Sequence, residues 1–475
     1  MSESKYKVTI GLEVHAELKT ASKMFCDCVN NPDEENPNTN ICPVCMAHPG
    51  TLPVLNKKAV ENVIKVGLAI DGNIANFTEW DRKNYFYPDI PKGYQISQYK
   101  YPIVSGGKLA GVDITRIHLE EDTANNKHTS EASLIDFNRA GVPLMELVTE
   151  PVIHSAEDAG KFGRELQLLL RTLGVSDANM EKGEMRVELN LSVSDTDVFG
   201  TKVEVKNINS FRAVEKAARF EIDRHIKLLE EGRGNEIVQE TRGWDENKEI
   251  TFSQRKKENS EDYRYFPEPD LPKVYLHELF DLEKMRGELP ELPSAKRERY
   301  LALGIKSEDV EVFVSDPIIG NYFEKVSSLL GKEEKLIKVA SSYITNDVIG
   351  QLEPISKELR VAFLDNQNSF VEIIKMVSSN EINSRVTKDL IGLVISGQVD
   401  SPRKYAEDNK LLQESNTDAI KEIVQSVINA NEKVVADFKA GNENSLKFLM
   451  GQVMKESKGS ANPQVATEIL KQLLG

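Results

Sequence analysis

The segment Val187-Glu188-Leu189-Asn190-Leu191-Ser192-Val193 alternates apolar and polar side chains without a break. Successive side chains of a strand point to opposite faces, so a period of two predicts a strand that buries one face. Lys202-Val203-Glu204-Val205-Lys206 alternates in the same way, and Val8-Thr9-Ile10 leads into Gly11-Leu12-Glu13-Val14-His15. The N-terminal part of the chain is therefore predicted to contain half-buried strands.

Helical patterns lie between these strands. Asn56, Ser155 and Ser210 are each placed to cap a helix, because their side chains can accept hydrogen bonds from the first free backbone N–H groups. The predicted helices run from about 57 to 70, from about 156 to 173 and from about 211 to 231. Strands mixed with helices, without a regular βαβ alternation, predict the α+β class.

Two proline-containing breaks divide the chain of 475 residues, which is long enough for two to four domains. The first break is a predicted linker, Leu289-Pro290-Glu291-Leu292-Pro293-Ser294, and the second is Asp400-Ser401-Pro402-Arg403. We therefore predict an α+β domain over residues 1–293, a helical domain over 294–400, and a small all-α tail of three or four helices over 401–475.

The composition excludes some classes of protein. Hydrophobic residues make up 40% and charged residues 29%, as in an ordinary globular protein, and the formal net charge is −16. A general cationic coat for nucleic acid is excluded, although a local basic face is not. The first residues lack a signal-peptide core and no window resembles a membrane span, so a cytoplasmic protein without a membrane segment is expected.

All four cysteines lie within twenty residues, as Cys26-x-Cys28 and Cys42-x-x-Cys45. Two close thiolate pairs separated by a loop can surround Zn²⁺ tetrahedrally, so we predict a zinc knuckle over residues 26–45. The alternative is four free or redox-active thiols. A zinc ion held by four cysteines has no open position, which favours a structural role and argues against a stand-alone zinc hydrolase.

Four segments are rich in carboxylates beside apolar residues: 11–15, 116–122, 145–151 and 180–188. In the first, Glu13 and His15 have the same strand parity, as do Glu146 and Glu150 in the third. Grouped carboxylates repel one another unless a hard cation such as Mg²⁺ shares them. The alternative is that each of these segments is a solvated edge. Spacing in sequence does not show whether the four segments converge, so both interpretations stay open.

Two further segments, residues 81–89 and 262–270, place cations beside aromatic side chains. Such a combination suits phosphate binding and base stacking, but it equally suits core aromatics with charged neighbours. The chain contains no phosphate-binding P-loop, no protein-kinase set and no nucleophile elbow. Glutamine hydrolysis by a nucleophile on this chain is therefore not expected.

Taken in order, these segments resemble the B subunit of the tRNA-dependent amidotransferase, the GatB family. The matching segments are residues 10–15 (IGLEVH), 17–20 (ELKT), 23–25 (KMF), 81–89 (DRKNYFYPD), 92–98 (KGYQISQ), 118–122 (HLEED), 136–139 (DFNR), 146–151 (ELVTEP), 205–211 (VKNINSF), 262–270 (DYRYFPEPD) and 448–455 (FLMGQVMK). Any one of them could arise by chance, whereas the ordered set is specific.

The resemblance implies a cradle domain, a helical domain and a tail similar to the YqeY family. It implies that the chain phosphorylates the side chain of Glu-tRNA(Gln), Asp-tRNA(Asn) or both with ATP, and that ammonia then displaces the phosphate. An A subunit would supply the ammonia by hydrolysing glutamine, and a C subunit would complete a heterotrimer. The competing hypothesis is a non-catalytic adaptor that binds tRNA.

The resemblance also implies roles for individual residues. The Mg²⁺ ligands would be His15, Glu121 and Glu146. The remaining catalytic positions would be Glu13, Lys83, Glu120, Glu150 and Arg264. Contacts of the tail with tRNA would come from Lys447, Gly451, Lys455, Lys458 and Gly459. For the two glycines, the alternative is that they simply end helices.

Overall fold

The computed structural model describes residues 5–256, 263–331, 333–413, 417–439, 441–442, 444–457 and 461–475. The chain divides into two compact units, Met1–Pro293 and Ser294–Gly475. The first unit contains strands and helices and the second contains helices in its described part, so the predicted α+β class is confirmed. The further division of the second unit near residue 400 stays a prediction.

Strands dominate the first unit. They are β1 (Lys7–Glu17), β2 (Asn73–Ile74), β3 (Phe77–Thr78), β4 (Asp81–Asn84), β5 (Tyr94–Ser97), β6 (Val104–Ser105), β7 (Lys108–Leu109), β8 (Val112–Glu121), β9 (Asn125–His128), β10 (Ser133–Asp136), β11 (Pro143–Thr149), β12 (Met185–Ser194), β13 (Val203–Lys206), β14 (Glu240–Asp245), β15 (Ile250–Lys256), β16 (Phe266–Pro267) and β17 (Val274–Tyr275).

Ten of these strands form one large sheet in the order β15-β14-β13-β12-β1-β11-β8-β6-β2, with β7 paired to β8. Its pairs are antiparallel except for the parallel pair of β13 and β14. A small sheet with the order β16-β4-β5 is separate, and its strand β5 packs against β8. The centre of the large sheet is therefore the group β12-β1-β11-β8, on which the small sheet rests.

The alternation seen in the sequence gives this centre two different faces. Val187, Val14, Leu147 and Ile117 stand side by side across the four strands and are buried in the core. The neighbouring cross-strand row is Arg186, His15, Glu146 and His118. Because adjacent residues of a strand point to opposite sides, the first row faces the apolar core and the second faces away from it.

Helices of the first unit complete this core. They are α1 (Lys57–Ala69), α2 (Ala156–Thr172), α3 (Phe211–Glu230), α4 (Leu276–Leu279) and α5 (Leu282–Gly287), together with a 3₁₀ turn at Gly234–Glu236. The three predicted caps are confirmed, since Asn56, Ser155 and Ser210 each accept a hydrogen bond from a backbone N–H of the first turn. Helix α1 packs on β8 and α3 packs on β12.

The second unit is helical throughout its described residues. Its helices are α6 (Pro293–Ala302, which begins at the boundary), α7 (Ser307–Ser315), α8 (Pro317–Leu330), α9 (Glu334–Tyr343), α10 (Ile349–Leu352), α11 (Lys357–Asp365), α12 (Gln367–Ser378), α13 (Ser384–Ile395), α14 (Pro402–Asp408), α15 (Thr417–Ala430), α16 (Glu432–Lys439), α17 (Asn444–Glu456) and α18 (Pro463–Leu474); a π-helical turn, Ile344–Val348, joins α9 to α10. The last four share an apolar core that includes Ile420, Leu449 and Leu470. The described residues after 400 form five helices, rather than the predicted three or four.

Within the described part of the chain, no helix combines the length and the apolar character that crossing a membrane requires.

Candidate active site

The polar row on the large sheet brings together residues that are far apart in sequence. His15 on β1 lies opposite Glu146 on β11, and Glu146 lies opposite His118 on β8. Glu146 Oε2 is 3.3 Å from Nε2 of His15 and 3.3 Å from Nε2 of His118. One carboxylate oxygen therefore lies between two imidazoles that come from the neighbouring strands.

Two more carboxylates complete this group. Oε1 of Glu13 and Oε1 of Glu120 each lie 3.8 Å from Nε2 of His15. The ligand atoms of Glu13, His15 and Glu146 lie within 4.8 Å of one another, and so do those of His118, Glu120 and Glu146. Carboxylate oxygens with imidazole nitrogens at such distances suit a divalent cation.

Burial and charge perturb these groups strongly. Burial alone would lower the pKa of His15, but its hydrogen bond to Glu146 and the charge of that carboxylate raise the pKa to about 9. Burial would raise the pKa of Glu146, yet the neighbouring His118 and His15 hold it well below its usual range. The pKa of Glu13 is raised, first by burial and then by the charge of Glu146. Such perturbed groups in one place are typical of functional sites.

The polar face continues onto β12 and β13. Glu188 lies opposite Glu13, and carboxylate oxygens of Glu13, Glu188 and Glu204 also lie within 4.8 Å of one another. Lys206 Nζ is 2.8 Å from Glu188 and 3.5 Å from Glu204, so it offsets part of their charge. Arg186, the β12 member of the polar row, donates a hydrogen bond to Asp122 at 3.1 Å.

The small sheet contributes further residues to the same place. Ser97 on β5 donates to Glu120 Oε2 at 2.9 Å. Burial would lower the pKa of Lys83 on β4. The negative charges of Glu120 and Glu146 outweigh this effect, so the pKa of Lys83 is raised. No carboxylate of the described residues lies within 4 Å of the Lys83 ammonium.

Glu121, a predicted Mg²⁺ ligand, is not brought to His15 and Glu146. It alternates with Glu120 along β8 and therefore points to the other face of the strand. Its carboxylate accepts hydrogen bonds from Lys92 Nζ at 2.8 Å and from the backbone N–H of Ile96 at 2.9 Å. Of this adjacent pair, it is Glu120 that reaches the group around His15 and Glu146.

Glu150, a predicted catalytic residue, also lies away from the group. It shares strand parity with Glu146, but four residues of strand separate their Cα atoms by about 13 Å. The register with β8 shifts between Val148 and Thr149, and Glu150 Oε1 accepts a hydrogen bond from Thr115 at 2.7 Å. Parity alone was therefore insufficient to place this carboxylate.

Arg264 has a backbone φ of 42° in the segment that precedes β16. Its carbonyl accepts a hydrogen bond from Asn84 at 2.8 Å, which ties this segment to β4. Lys83, the neighbour of Asn84, lies with its ammonium 5.1 Å from the ring centroid of Tyr263. Residues 263–270 and the 81–89 motif are thus neighbours in the fold.

His118 was not among the site residues predicted from the sequence, although it lies in one of the quoted segments. His118 and Glu120 have the same strand parity, and both reach the Glu146 carboxylate group. That parity was a usable signal, since a buried strand with His and Glu at alternate positions matches the Glu13 and His15 pattern of β1.

The four cysteines converge as the zinc prediction requires. All four Sγ atoms lie within 4.8 Å of one another, and Cys28 Sγ is 4.0 Å from Cys45 Sγ. A disulfide needs about 2.05 Å, whereas Zn–S bonds of about 2.3 Å at tetrahedral angles place sulfurs about 3.8 Å apart. The set therefore fits Zn²⁺ with no open coordination position.

The predicted tRNA contacts of the tail can be placed in part. Lys447, Gly451 and Lys455 follow at intervals of four residues on α17 and are all exposed. Gly451 lies inside this helix, so the alternative that it ends a helix is wrong. Lys458 and Gly459 lie outside the described residues.

Comparison with known proteins identifies the family of this chain. The family model described as the GatB/GatE catalytic domain matches residues 8–280, and the one described as the GatB domain matches residues 321–474. These matches define a GatB/GatE-type catalytic chain with a further C-terminal domain.

Similar full-length proteins narrow the assignment. The B subunit of the aspartyl/glutamyl-tRNA(Asn/Gln) amidotransferase from Caldanaerobacter subterraneus subsp. tengcongensis is 44% identical, and the alignment covers 99% of each chain. The protein of the same name from Picosynechococcus sp. is 40% identical over 99% of this chain and 98% of its own length. The chain belongs to the GatB family, as the resemblance predicted.

Proposed function

We propose that the polar face of the large sheet phosphorylates the side-chain carboxylate of an amino acid attached to tRNA and then exchanges the phosphate for ammonia. As a member of the GatB family, the chain is one component of an amidotransferase, a glutamine-dependent ligase that forms carbon–nitrogen bonds. The names of its relatives cite both aspartyl- and glutamyl-tRNA, and we include both as substrates.

One observation carries the proposal. His15, Glu146 and His118 stand in one cross-strand row, joined by contacts of 3.3 Å, and Lys83 approaches the same carboxylates from the small sheet. A group of carboxylates and imidazoles suits a divalent cation, and a cation available to an anion suits phosphate. Phosphoryl transfer to a carboxylate needs both.

The first step makes the carboxylate reactive. A carboxylate oxygen of the substrate attacks the γ-phosphorus of ATP, the new O–P bond forms, and the bond to the ADP oxygen breaks. Lys83 offsets the charge that develops on the phosphate oxygens. His15, Glu146, Glu120 and His118 would hold Mg²⁺, which would supply further neutralisation of phosphate charge.

The second step forms the amide. The ammonia nitrogen attacks the carbonyl carbon, and phosphate leaves with the former carboxylate oxygen. The nitrogen then loses a proton, for which Glu13 is suited because its pKa is raised while it lies at the edge of the same group. The small sheet over the group limits the access of water to the activated carboxylate.

We further propose that the ammonia comes from a separate A subunit, with a C subunit completing a heterotrimer. The four cysteines are committed to the knuckle and the sequence has no nucleophile elbow, so this chain supplies no nucleophile for glutamine hydrolysis. The exposed Lys447, Gly451 and Lys455 of α17 would contact the tRNA backbone.

A matched pair of substitutions on β11 tests the proposal. In the complete amidotransferase, we expect Glu146→Gln to lower the rate of amidated-tRNA formation at least about 100-fold, because the substitution removes the shared carboxylate. Glu150→Gln, on the same strand with the same parity, should change the rate less than about 3-fold. Amidated tRNA, tRNA-dependent ATP hydrolysis and tRNA binding are measured with glutamine and with ammonium chloride as nitrogen donors.

The measured activities distinguish a catalytic chain from an adaptor, and the two nitrogen donors distinguish a catalytic defect from a defect in ammonia supply. If the chain were a tRNA-binding adaptor, Glu146→Gln would leave amidation and ATP hydrolysis intact. Failure with glutamine but not with ammonium chloride would instead place the defect in ammonia supply. The proposal requires that both donors fail while tRNA binding is retained.

A further inference from the structure

Lys23 has an unusual environment for a lysine. Its side chain is fully buried, at 0% exposure, and ranks among the largest side chains buried to that extent. Its ammonium donates to the backbone carbonyl of Phe137 at 3.1 Å. Within the part of the chain that the structure describes, no carboxylate lies within 4 Å of that ammonium.

A buried cation with only a carbonyl partner is energetically unfavourable. Moving a charge out of water costs several kcal/mol even after the protein relaxes, and buried charges are therefore found paired or beside metal sites. A lysine needed only to fill space would be replaced by methionine or leucine at no such cost. The charge of Lys23 therefore calls for a nearby anion.

The cysteine knuckle is next to this lysine. The backbone N–H of Lys23 donates to the carbonyl of Cys28 at 2.9 Å. A Cβ built on Gly141 would be 3.5 Å from Cδ of Lys23 and 3.7 Å from Cβ of Cys45, so both side chains pack against the same glycine backbone. The methylene chain of Lys23 thus shares its packing surface with Cys45, one member of the cysteine set.

Phe137 and Gly141 lie in the connection between β10 and β11, and this connection also anchors the rest of the knuckle. Asn138, which is fully buried, accepts hydrogen bonds from the backbone N–H groups of Thr39 and Asn40 at 2.9 and 2.8 Å. Its side-chain amide donates to the carbonyl of Asn36 at 2.8 Å. Residues 136–141 therefore hold the loop between the cysteine pairs and also accept the Lys23 ammonium.

We propose that Lys23 is the buried counter-cation of the metal-loaded cysteine knuckle. Four thiolates around one Zn²⁺ carry a net charge of −2, and a single ammonium beside them reduces the local charge to −1. The anionic metal site and the buried ammonium then compensate each other, so zinc affinity depends on Lys23 although it is not a ligand. This proposal does not depend on the reaction chemistry at the sheet face.

The test measures zinc affinity of the full-length chain by competition with a chromophoric chelator. Lys23→Met and Lys23→Gln both remove the charge, and Gln keeps an N–H donor for Phe137. We expect both to weaken zinc binding about 10- to 100-fold. Lys182→Met is the matched control, because Lys182 forms an exposed ion pair with Asp33 in the knuckle loop; it should change the affinity less than about 3-fold.

Unfolding with and without zinc separates this role from simple packing. The zinc-free Lys23→Met chain should be at least as stable as the zinc-free parent, because the uncompensated ammonium has been removed. Equal destabilisation of both forms with unchanged zinc affinity would overturn the proposal. So would retained zinc affinity in Lys23→Gln alone, or a failure of both neutral variants to fold in excess zinc.

Discussion

Glu120 and Glu121 are neighbours in the chain but reach opposite faces of β8. Glu120 joins the group around His15 and Glu146, whereas Glu121 pairs with Lys92. Sequence reasoning could recognise that only one of two adjacent carboxylates faces a given side. The pair alone does not show which of the two joins the group, although the shared parity of Glu120 and His118 favours Glu120.

This difference gives a prediction at the scale of single residues. In the complete amidotransferase, Glu120→Gln should lower kcat for amidation at least about 10-fold, because the polar group loses one charged carboxylate. Glu121→Gln should affect kcat much less but destabilise the chain by about 3 kcal/mol, because the largely buried Lys92 loses its charged partner. Steady-state kinetics and urea unfolding of the two variants check both expectations.

The reverse result would contradict the geometry described for β8. If Glu121→Gln abolished amidation in a stable protein while Glu120→Gln did not, then the functional face would be the one that contains Lys92. Wild-type protein carried through the same urea series serves as the reference for both variants.

At the scale of secondary-structure elements, the sequence predicted the features that depend on near neighbours in the chain. The alternation of residues 187–193 predicted β12, and Asn56, Ser155 and Ser210 predicted the starts of α1, α2 and α3, because caps and strand parity involve near neighbours only. The position of the small sheet over the polar face was not predictable, since it depends on long-range packing of β5 against β8.

Helix α3 and strands β14 and β15 are joined by a buried ionic network centred on Glu221. The side chain of Glu221 has no exposed surface, and it contacts Arg224 at 2.6 Å and Arg242 at 3.1 Å. Burial opposes its charge, but hydrogen bonds from His225, Arg224 and Thr251 lower its pKa from 4.5 to about 2.

This lowered pKa predicts a pH dependence of stability. A carboxylate whose pKa is lower in the folded state stabilises the fold above pH 4.5, and the effect is lost as the pH falls towards 2. We expect Glu221→Gln to lower the free energy of unfolding by about 3 kcal/mol at pH 7. The difference from the parent should narrow by about 1 kcal/mol at about pH 3.5. If urea unfolding gave the same difference in free energy between the variant and the parent at both pH values, this prediction would be wrong.

A further prediction at this scale concerns Gly451, which lies inside helix α17. A glycine inside a helix costs about 1 kcal/mol relative to alanine, and a Cβ at this position would meet nothing within 4 Å. Gly451→Ala should therefore stabilise the chain, yet raise KM for tRNA if the RNA backbone approaches the helix at this point. Gly350→Ala in α10, where a Cβ also meets no neighbour, should stabilise without changing KM.

At the scale of the whole molecule, a chain with a net charge of −16 must bind a polyanion through a few placed cations. Lys447 and Lys455 are exposed on α17 with Gly451 between them, so both can reach one RNA strand. The predicted role of the tail can be tested by charge reversal, provided that the change in net charge is controlled.

The double variant Lys447→Glu/Lys455→Glu should raise KM for tRNA several-fold with kcat unchanged, because each lysine neutralises about one phosphate. The slope of log KM against log salt should fall by about 2. Lys335→Glu/Lys357→Glu places the same four units of negative charge on exposed positions of α9 and α11, so any effect of net charge alone appears in both variants. Equal increases of KM in the two double variants would show that overall charge, and not α17, weakens tRNA binding; an increase confined to the α17 variant assigns the contact to this helix.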